Sequence, residues 1–503
     1  MSTQVNRVQG YLFYATLTVL CAIYAWGMSW FYQIDFHAPD YWLYYHYGQL
    51  NLPAADAFSS LFIDLSRLVL PFPKRAYSIS LAMMTTSLFL IIHSIRYRLH
   101  RLGHSDKWAY LFGFATLSMG FWYYGAGKLF YDFPFTIASS SVALAMLVVA
   151  LDREPFPTRW WALFFLLCGF AFSWKTYNVF TIFGLIALAF PPLWAAIKAA
   201  PKTAFFGAGI PLGLGYLLGM YHLLTDPIAT LHGIRGYGVL VSPDRLIQHI
   251  VPAAQFMWVH TCDHVVNAPF SIGILSPVTG IILVILSALV SRYYLGLISL
   301  LSILYGIFIV AFSKGYQWNG FPFGLILLFI YGFLCIQIAG ARSKSKQTWF
   351  LGLSIVGFLI TAATTFGYYL PTQIAIHQAT QTAITSLQAN SQDLLQQVTK
   401  FEKGHPGTPV YLLFDRRKPN GDSPLMQVDS RWATIQRPLT YPTNSPFITI
   451  TPRYHSHNFD EFGNPFWSRY RQTMVAVLIA GRHFKSDTII QNPTYEIVYH
   501  HPE

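Results

Sequence analysis

Long apolar runs alternate with short polar links over the first 370 residues of the chain, and this pattern predicts a bundle of membrane-crossing helices. A helix needs about 20 apolar residues to cross the hydrocarbon core of a bilayer. About eleven runs come near that length, so the pattern predicts a polytopic α-helical membrane protein. The predicted spans are 10–32, 77–96, 108–125, 134–151, 160–174, 177–197, 203–223, 270–290, 295–313, 320–341 and 347–370.

The composition supports the same class of protein. Of the 503 residues, 54% are hydrophobic and 11% are charged, whereas soluble domains carry about 25% charged residues. This balance excludes a single soluble globular domain. The first apolar run has neither the short core nor the small-residue cleavage site of a signal peptide, so we expect it to stay as an anchor.

Lys and Arg are concentrated in the short links on one side of the predicted bundle, and short cytoplasmic loops are the loops that retain such residues. The sequence therefore predicts a cytoplasmic N-terminus and an extracytoplasmic C-terminus. The net charge of +12 is partly this topological signal, so it gives no support to nucleic-acid binding. The short links hold Arg7, Arg96, Arg98, Arg101, Lys107, Arg153, Arg159, Lys198, Lys202, Arg292, Arg342, Lys344 and Lys346, and the longer loops hold Arg67, Lys74, Arg75, Lys128, Lys175, Arg235, Arg245 and Lys314.

The composition changes after Leu370. Gln, Thr, Ser and Asn dominate as far as Lys400, which favours a surface helix, and short apolar runs bounded by Gly and Pro follow, which favour strands. We therefore predict a transmembrane domain at 1–370 and an extracytoplasmic α/β domain at 371–503, which is large enough for its own core. The predicted elements of this tail are helices at 372–402 and 467–480 and strands at Val410–Phe414, 447–451 and 495–499.

The cysteines and the tail histidines give no sign of a disulfide or a metal site. Three cysteines lie in predicted spans and only Cys262 lies in an outer loop, so no outward-facing pair can form a disulfide. We expect all four to be small packing residues. The tail histidines lack a third ligand at a set spacing, so we expect a surface role for them. These residues are Cys21, Cys168, Cys262 and Cys335, and His455, His457, His500 and His501.

The first outer loop is polar and aromatic, and it starts with two isolated acids, Asp35 and Asp40. Membrane proteins seldom keep carboxylates close to the hydrocarbon core unless those carboxylates have a function. The segments 40–50 and 54–70 are amphipathic, which predicts two helices lying in the membrane interface. In the alternative interpretation, the acids only face water and Asp40 caps the aromatic helix. Both interpretations stay open at this point.

Two further outer residues and one outer loop can take part in a reaction or can have a purely structural explanation. Asp132 precedes the fourth span, where it can act in a site or cap the helix. Lys175 follows the fifth span, where snorkelling to the interface also explains it. The loop 225–269 carries Arg235 and Arg245 among several glycines, which form either a lid or ordinary turns.

The order of these outer elements along the chain resembles that of the GT-C superfamily of membrane-embedded glycosyltransferases. The resemblance is to bacterial relatives of protein O-mannosyltransferases and of the lipid A aminoarabinose transferase in particular. The resemblance covers about residues 10–340, and its motifs are loose. Many relatives have adjacent acids in the first loop, whereas Phe36-His37-Ala38-Pro39 separates the two acids here. The matching elements are the acidic first loop with its interfacial helices, Asp132, the series Gly169, Ala171 and Lys175, and the group Lys314, Tyr316 and Pro322.

The resemblance implies an enzyme of the bacterial inner membrane that transfers a sugar, with inversion, from a polyprenyl-phosphate donor. The acceptor would be an envelope glycan, a lipid or an exported protein at the outer face. A carboxylate would take the proton of the acceptor hydroxyl. We favour Asp40 over Asp35 for this role because Asp40 directly precedes the aromatic helix. Asp132 would orient the acceptor or assist the base.

The resemblance also implies cations that stabilise the departing lipid phosphate in a low-dielectric groove. Lys314 and Arg235 are the first candidates, followed by Arg75, Lys175 and Arg245. Metal dependence stays open, and no metal ligands are assigned. Membrane lipids surround the protein, and no nucleic acid is expected as a partner.

Three rival classes stay open. An O-antigen ligase or polymerase would use similar glycans and basic loops, but it would not need the acidic first loop with paired interfacial helices. A transporter would show an internal repeat, which the sequence lacks, and the polar tail is unexpected for it. A scaffold or receptor would not depend on Asp40 and Asp132. From its position alone, we expect the tail to assist acceptor recognition.

Overall fold

The computed structural model describes most of the helical part of the chain and four strands near its C-terminal end. The chain divides into two compact units, one with the helices named below and one with the strands. The described residues are 2–29, 60–69, 73–120, 122–123, 132–153, 156, 159–174, 178–228, 277–312, 321–371, 374, 410–414, 449–452, 484–491 and 496–502.

The first unit is helical, and its helices follow the predicted apolar runs in order. A π-helical turn, Phe205–Gly209, joins two of them, and another, Thr365–Tyr369, extends the last one. The helices are α1 (Ser2–Ser29), α2 (Ser60–Val69), α3 (Pro73–Arg101), α4 (Lys107–Ser118), α5 (Asp132–Arg153), α6 (Arg159–Trp174), α7 (Val179–Leu188), α8 (Phe190–Ala199), α9 (Pro201–Ala204), α10 (Ile210–Gly219), α11 (His222–Thr225), α12 (Pro277–Val290), α13 (Arg292–Phe312), α14 (Phe321–Ala339) and α15 (Lys344–Thr364).

Several of these helices are long and apolar enough to cross a membrane. Among the described residues, four stretches meet that test by length and composition, and the pair α7 and α8 makes a fifth if it is one bent span. The protein therefore has the character of a membrane protein, and the count of eleven spans stays a prediction. The four stretches are Val8–Ser29, Tyr77–Arg101, Phe133–Arg153 and Lys344–Gly367.

Two of the predicted spans contain a break in the helix. The span 177–197 is bent by 68° between α7 and α8, because Pro191 and Pro192 in the first turn of α8 supply no backbone N–H. The span 108–125 ends early, since α4 stops at Ser118 and Met119 is extended. The Thr365 hydroxyl donates to the carbonyl of Ser118 at 2.7 Å and so satisfies a group at this helix end.

Helices α6 and α10 approach each other closely enough for their backbones to meet. A Cβ atom on Gly169 of α6 would overlap the backbone carbonyl of Leu212, and one on Gly215 of α10 would overlap the carbonyl of Leu166. Small residues let two helix backbones approach this closely in a membrane, where packing replaces the hydrophobic drive for association. The glycine of the Gly169–Lys175 motif therefore has a packing role.

Charged residues join four helices at one end of the bundle, which we call the basic end. The Arg96 guanidinium of α3 lies 2.9 Å from the Asp106 carboxylate before α4 and above the rings of Phe13 and Tyr14 in α1. Asp152 of α5 accepts from two further α3 residues, Arg98 at 3.0 Å and Arg101 at 2.8 Å. The last turns of α3 and α5 therefore lie side by side.

The opposite end of the bundle is joined by tyrosine hydroxyls. Tyr77, in the second turn of α3, donates to the carbonyl of Met28 near the end of α1. Tyr24 of α1 donates to the carbonyl of Trp122 at 2.7 Å. These contacts make α1 antiparallel to α3, and they hold the end of α1, from which the first outer loop departs, against the start of α3.

The buried cysteines are as the sequence predicted. Cys21, Cys168 and Cys335 are free thiols and are all buried. Cys262 lies outside the described residues. At the basic end, burial lowers the pKa of His104.

The second unit contains one mixed sheet with the order β2-β1-β4-β3. Its strands are β1 (Val410–Phe414), β2 (Thr449–Pro452), β3 (Phe484–Gln491) and β4 (Glu496–Pro502). β1 pairs in parallel with β2 and antiparallel with β4, and β3 pairs antiparallel with β4 through an irregularity between Thr488 and Ile490. The three predicted strands are confirmed, with boundaries shifted for β2 and β4. The predicted tail helices lie outside the described residues.

We expect Gly169→Ala to destabilise the helical unit, because the added methyl group must push α6 away from α10. Overpacking of this kind costs about 1–3 kcal/mol. The measurement is the midpoint of thermal unfolding in detergent. Gly213→Ala on α10 is the matched control, since a Cβ there meets no atom within 4 Å. Equal midpoints for the two variants would contradict the packing role of Gly169.

We expect Asp106→Asn to destabilise the protein by about 3–5 kcal/mol, because it leaves the buried Arg96 charge without its partner. Arg101→Gln is the comparison, because the Arg101 side chain is 55% exposed and such ion pairs contribute about 0–1 kcal/mol. Denaturant titration of both variants in the same detergent measures the difference, and a larger effect at Arg101 would show that the Arg96 pair is not the anchor.

Candidate functional site

An aromatic cluster lies at the end of the bundle opposite the basic end. Phe62 of α2 lies 5.4 Å from Phe135 of α5 and 6.1 Å from Trp174 of α6, between ring centroids, and the last two rings are 4.9 Å apart. Phe62 is fully buried. The short amphipathic helix α2 is therefore docked on the start of α5 and on the end of α6. We call these three residues the aromatic cluster.

Polar contacts attach α2 to a third part of the bundle. The buried Ser60 hydroxyl oxygen accepts from the backbone N–H of His222 at 3.1 Å. The Asp64 carboxylate lies 3.6 Å from Nε2 of the same histidine. His222 begins α11, just after α10, so α2 bridges α5, α6 and the α10–α11 turn.

These contacts place the beginnings of α3 and α5 at the same end of the bundle. The last turns of both helices share the Asp152 ion pairs at the basic end, and helices of 29 and 22 residues carry their first turns well away from it. The Tyr77 contact with α1 and the aromatic cluster therefore lie on the same side. The end of α1, the start of α3, the start of α5 and the end of α6 all face this side.

Two predicted site residues belong to helix termini at this end. Asp132 is the first residue of α5 and precedes Phe135 by less than one turn. Arg75 lies in the first turn of α3. The structure describes the backbone of both residues but not their side chains.

The other predicted site residues lie outside the described residues, and their places are known only along the sequence. Lys175 directly follows Trp174, the last residue of α6, and Lys314 follows the end of α13 at Phe312. Asp35 and Asp40 belong to the stretch between α1 and α2, together with the predicted interfacial helix 40–50. Arg235 and Arg245 belong to the stretch between α11 and α12. Their assignments stay predictions.

Several buried polar atoms near the aromatic cluster lack a partner within the described part of the chain, among them the indole Nε1 of Trp174 and Oδ1 of Asn178. The Asn178 amide nitrogen donates to the carbonyl of Ala171 at 2.6 Å, which fixes this residue against the last turn of α6. Buried polar groups are nearly always paired, so the partners of these two atoms are not among the described residues.

The described ranges hold no group of three or more His, Cys, Asp or Glu side chains that could bind a metal ion. The titratable groups described at the aromatic end are few, and the clearest pair is Asp64 with His222. Among the described ion pairs, those at the basic end are formed by arginines.

Sequence reasoning found the amphipathic segment of α2 but not its partners. The helical prediction for 54–70 is confirmed over Ser60–Val69. The contact between Asp64 and His222 was missed because these residues are far apart in the sequence and follow no motif. The only available signal was the placement of Phe62 and Asp64 on opposite faces of an amphipathic segment.

Comparison with family models, curated proteins and solved structures finds no match for this chain.

We expect Phe62→Ala to lower stability by about 3–5 kcal/mol, because it removes a fully buried ring from the cluster. Leu65→Ala, at a half-buried position on the same helix, serves as the control and should cost less. Thermal unfolding of both variants in one detergent measures the difference. Equal losses would mean that α2 is not held by its contact with Phe135 and Trp174.

Proposed function

We propose that the protein is an inverting glycosyltransferase of the bacterial inner membrane that uses a polyprenyl-phosphate sugar as donor. In this proposal the chain has about eleven spans, a cytoplasmic N-terminus and an extracytoplasmic α/β domain. The acceptor is an envelope glycan, a lipid or an exported protein. The aromatic end is the outer end of the bundle, and the reaction takes place there.

One observation carries the proposal. The amphipathic helix α2 docks through Phe62 on the two helix termini that carry Asp132 and lead into Lys175. These are the elements whose order along the chain resembles the GT-C superfamily. An interfacial helix packed over the ends of two spans lies at the boundary between water and hydrocarbon. A lipid-linked sugar presents its reactive carbon at this boundary.

The proposed chemistry is one displacement at the anomeric carbon. The acceptor oxygen forms a bond to that carbon while the bond between the carbon and the phosphate oxygen breaks. The Asp40 carboxylate takes the acceptor proton, with Asp35 as the alternative base and Asp132 orienting the acceptor. The lipid phosphate leaves with the bonding electron pair.

Cations stabilise the charge that develops on the leaving phosphate. Lys314 and Arg235 are the first candidates for this role, and Arg75, Lys175 and Arg245 follow. Arg75 and Lys175 adjoin helix ends at the aromatic end. Whether a divalent metal ion shares this task stays open.

The aromatic rings of the cluster are buried under α2, so they support the site and do not stack on the sugar themselves.

We expect Asp40→Asn to reduce sugar transfer by about 10²–10⁴-fold, because a general base contributes that much. Asp132→Asn should reduce transfer less, because Asp132 is proposed to orient the acceptor and not to take its proton. The measurement is transfer in proteoliposomes from a panel of radiolabelled polyprenyl-phosphate sugars, at matched protein levels. Asp226→Asn is the control, since Asp226 is an exposed acid that follows α11 and is assigned no role in the proposed reaction.

Transfer that either variant abolishes, with the control intact, would establish the activity and identify the donor. Transfer that persists in both variants would remove these carboxylates from the mechanism. No transfer from any donor, with every envelope acceptor supplied, would favour an O-antigen ligase or polymerase, or a transporter.

We expect deletion of residues 372–503 to change acceptor choice, because the tail is proposed to hold the acceptor near the outer end. Donor hydrolysis by the truncated chain should continue, since the proposed donor site lies in the helical unit. Transfer to a panel of acceptors by both forms measures the difference. Unchanged acceptor choice would refute the role of the tail.

A further inference from the structure

Two arginines converge on one tryptophan in the link between α5 and α6, at the basic end of the bundle. The guanidinium carbons of Arg153, the last residue of α5, and of Arg159, the first residue of α6, each lie 5.2 Å from the centre of the Trp160 ring. The two carbons are therefore no farther apart than twice that distance. The face of an indole ring attracts cations, so Trp160 holds both side chains in place. We call Arg153 and Arg159 the arginine pair.

Apolar packing fixes the link that carries the arginine pair. Phe156 lies 5.7 Å from Trp161 and 6.2 Å from Phe165, between ring centroids, and both of these partners are buried in α6. The two arginines themselves are exposed. Because the link is folded onto α6, a ligand that binds the two charges has little chain to order, and its binding costs less conformational entropy.

The positive charge of the arginine pair is not balanced as it is at the other arginines of this end. The carboxylate next to Arg153 in the chain is Asp152, which already pairs with Arg98 and Arg101 of α3. Among the ion pairs within the described ranges, none includes a member of the arginine pair. Glu154, the other acid beside Arg153, lies outside the described residues. Two like charges this close repel each other, so an anion that contacts both is favoured.

The positions of the two arginines along their helices indicate the depth at which such an anion lies. The stretch Phe133–Arg153 is long and apolar enough to cross a membrane, and it ends at one of the arginines. The apolar helix α6 begins at the other. Trp residues at the ends of such helices lie at the level of the lipid headgroups, just outside the hydrocarbon core. The arginine pair therefore lies in the layer that holds the lipid phosphates.

We propose that the arginine pair and Trp160 form a binding site for the headgroup of an anionic phospholipid. A guanidinium group donates parallel hydrogen bonds to phosphate oxygens, in a geometry that an ammonium group lacks. The ammonium of phosphatidylethanolamine would add a third positive charge beside the pair, whereas phosphatidylglycerol adds none. The site therefore selects a headgroup with a net negative charge. This proposal rests on the membrane character of the helices and is independent of the proposed sugar transfer.

The test uses the full chain in detergent and measures lipid binding by native mass spectrometry, with phosphatidylglycerol and phosphatidylethanolamine of identical acyl chains. We expect the wild type to bind its first phosphatidylglycerol more tightly than its first phosphatidylethanolamine. In the double variant Arg153→Gln, Arg159→Gln the affinity for phosphatidylglycerol should fall about thirtyfold, because each basic residue beside an anionic membrane surface contributes about fivefold. Trp160→Leu should also lower this affinity, although both charges remain.

The double variant Lys344→Gln, Lys346→Gln is the matched control. These two lysines are exposed in the first turn of α15, and their replacement removes the same charge from the same predicted side of the membrane. The affinity for the first phosphatidylglycerol should stay unchanged. Equal losses in the two double variants would show a general attraction to basic surface and would overturn the proposal. Equal affinity of the wild type for the two lipids, or an unchanged affinity in Trp160→Leu, would overturn it as well.

Competition on the wild type separates a lipid site from a site for a soluble anion and needs no substitution. Glycerol 3-phosphate and inorganic phosphate carry the phosphate group without acyl chains. We expect phosphatidylglycerol to stay bound when either is present at an equal concentration. If either compound displaces the lipid at that concentration, the site binds a soluble phosphate and the phospholipid assignment is wrong.

Discussion

The close approach of α6 and α10 is the constraint on which the aromatic end depends. Because Gly169 and Gly215 lack side chains, the two backbones meet, and the chain leaving α10 turns beside the end of α6. His222 then lies where Ser60 and Asp64 of α2 can reach it. A surface helix of only ten residues is too short to be stable alone, so it depends on these contacts for its place and its structure.

The two ends of the helical unit are built from different interactions. At the basic end, the buried Arg96 is satisfied by Asp106 and by two aromatic faces, which ties α1, α3 and α4 together. At the aromatic end, the described contacts are mainly between rings and hydroxyl groups, and Asp64 with His222 is the charged pair described there.

Apolar run length was sufficient to predict most helices, since a membrane imposes one length and one kind of side chain on them. It could not predict the bend at Ala189 or the early end at Ser118, which depend on local backbone donors and on the hydroxyl of Thr365 in the π-helical turn after α15. β3 was missed because its sequence FKSDTIIQ is too polar to resemble a buried strand. The pair Asp64 and His222 was beyond sequence reasoning, because only the folded bundle brings them together.

The pairing of β1 imposes an order on the folding of the second unit. β1 has β2 on one side and β4 on the other, and β4 follows both β2 and β3 in the sequence. During synthesis, β1 therefore emerges long before its second neighbour, and its free edge can recruit strands of other chains. A chain interrupted before Glu496 would keep that edge exposed, so incomplete synthesis of this unit should produce aggregates and not a smaller folded domain.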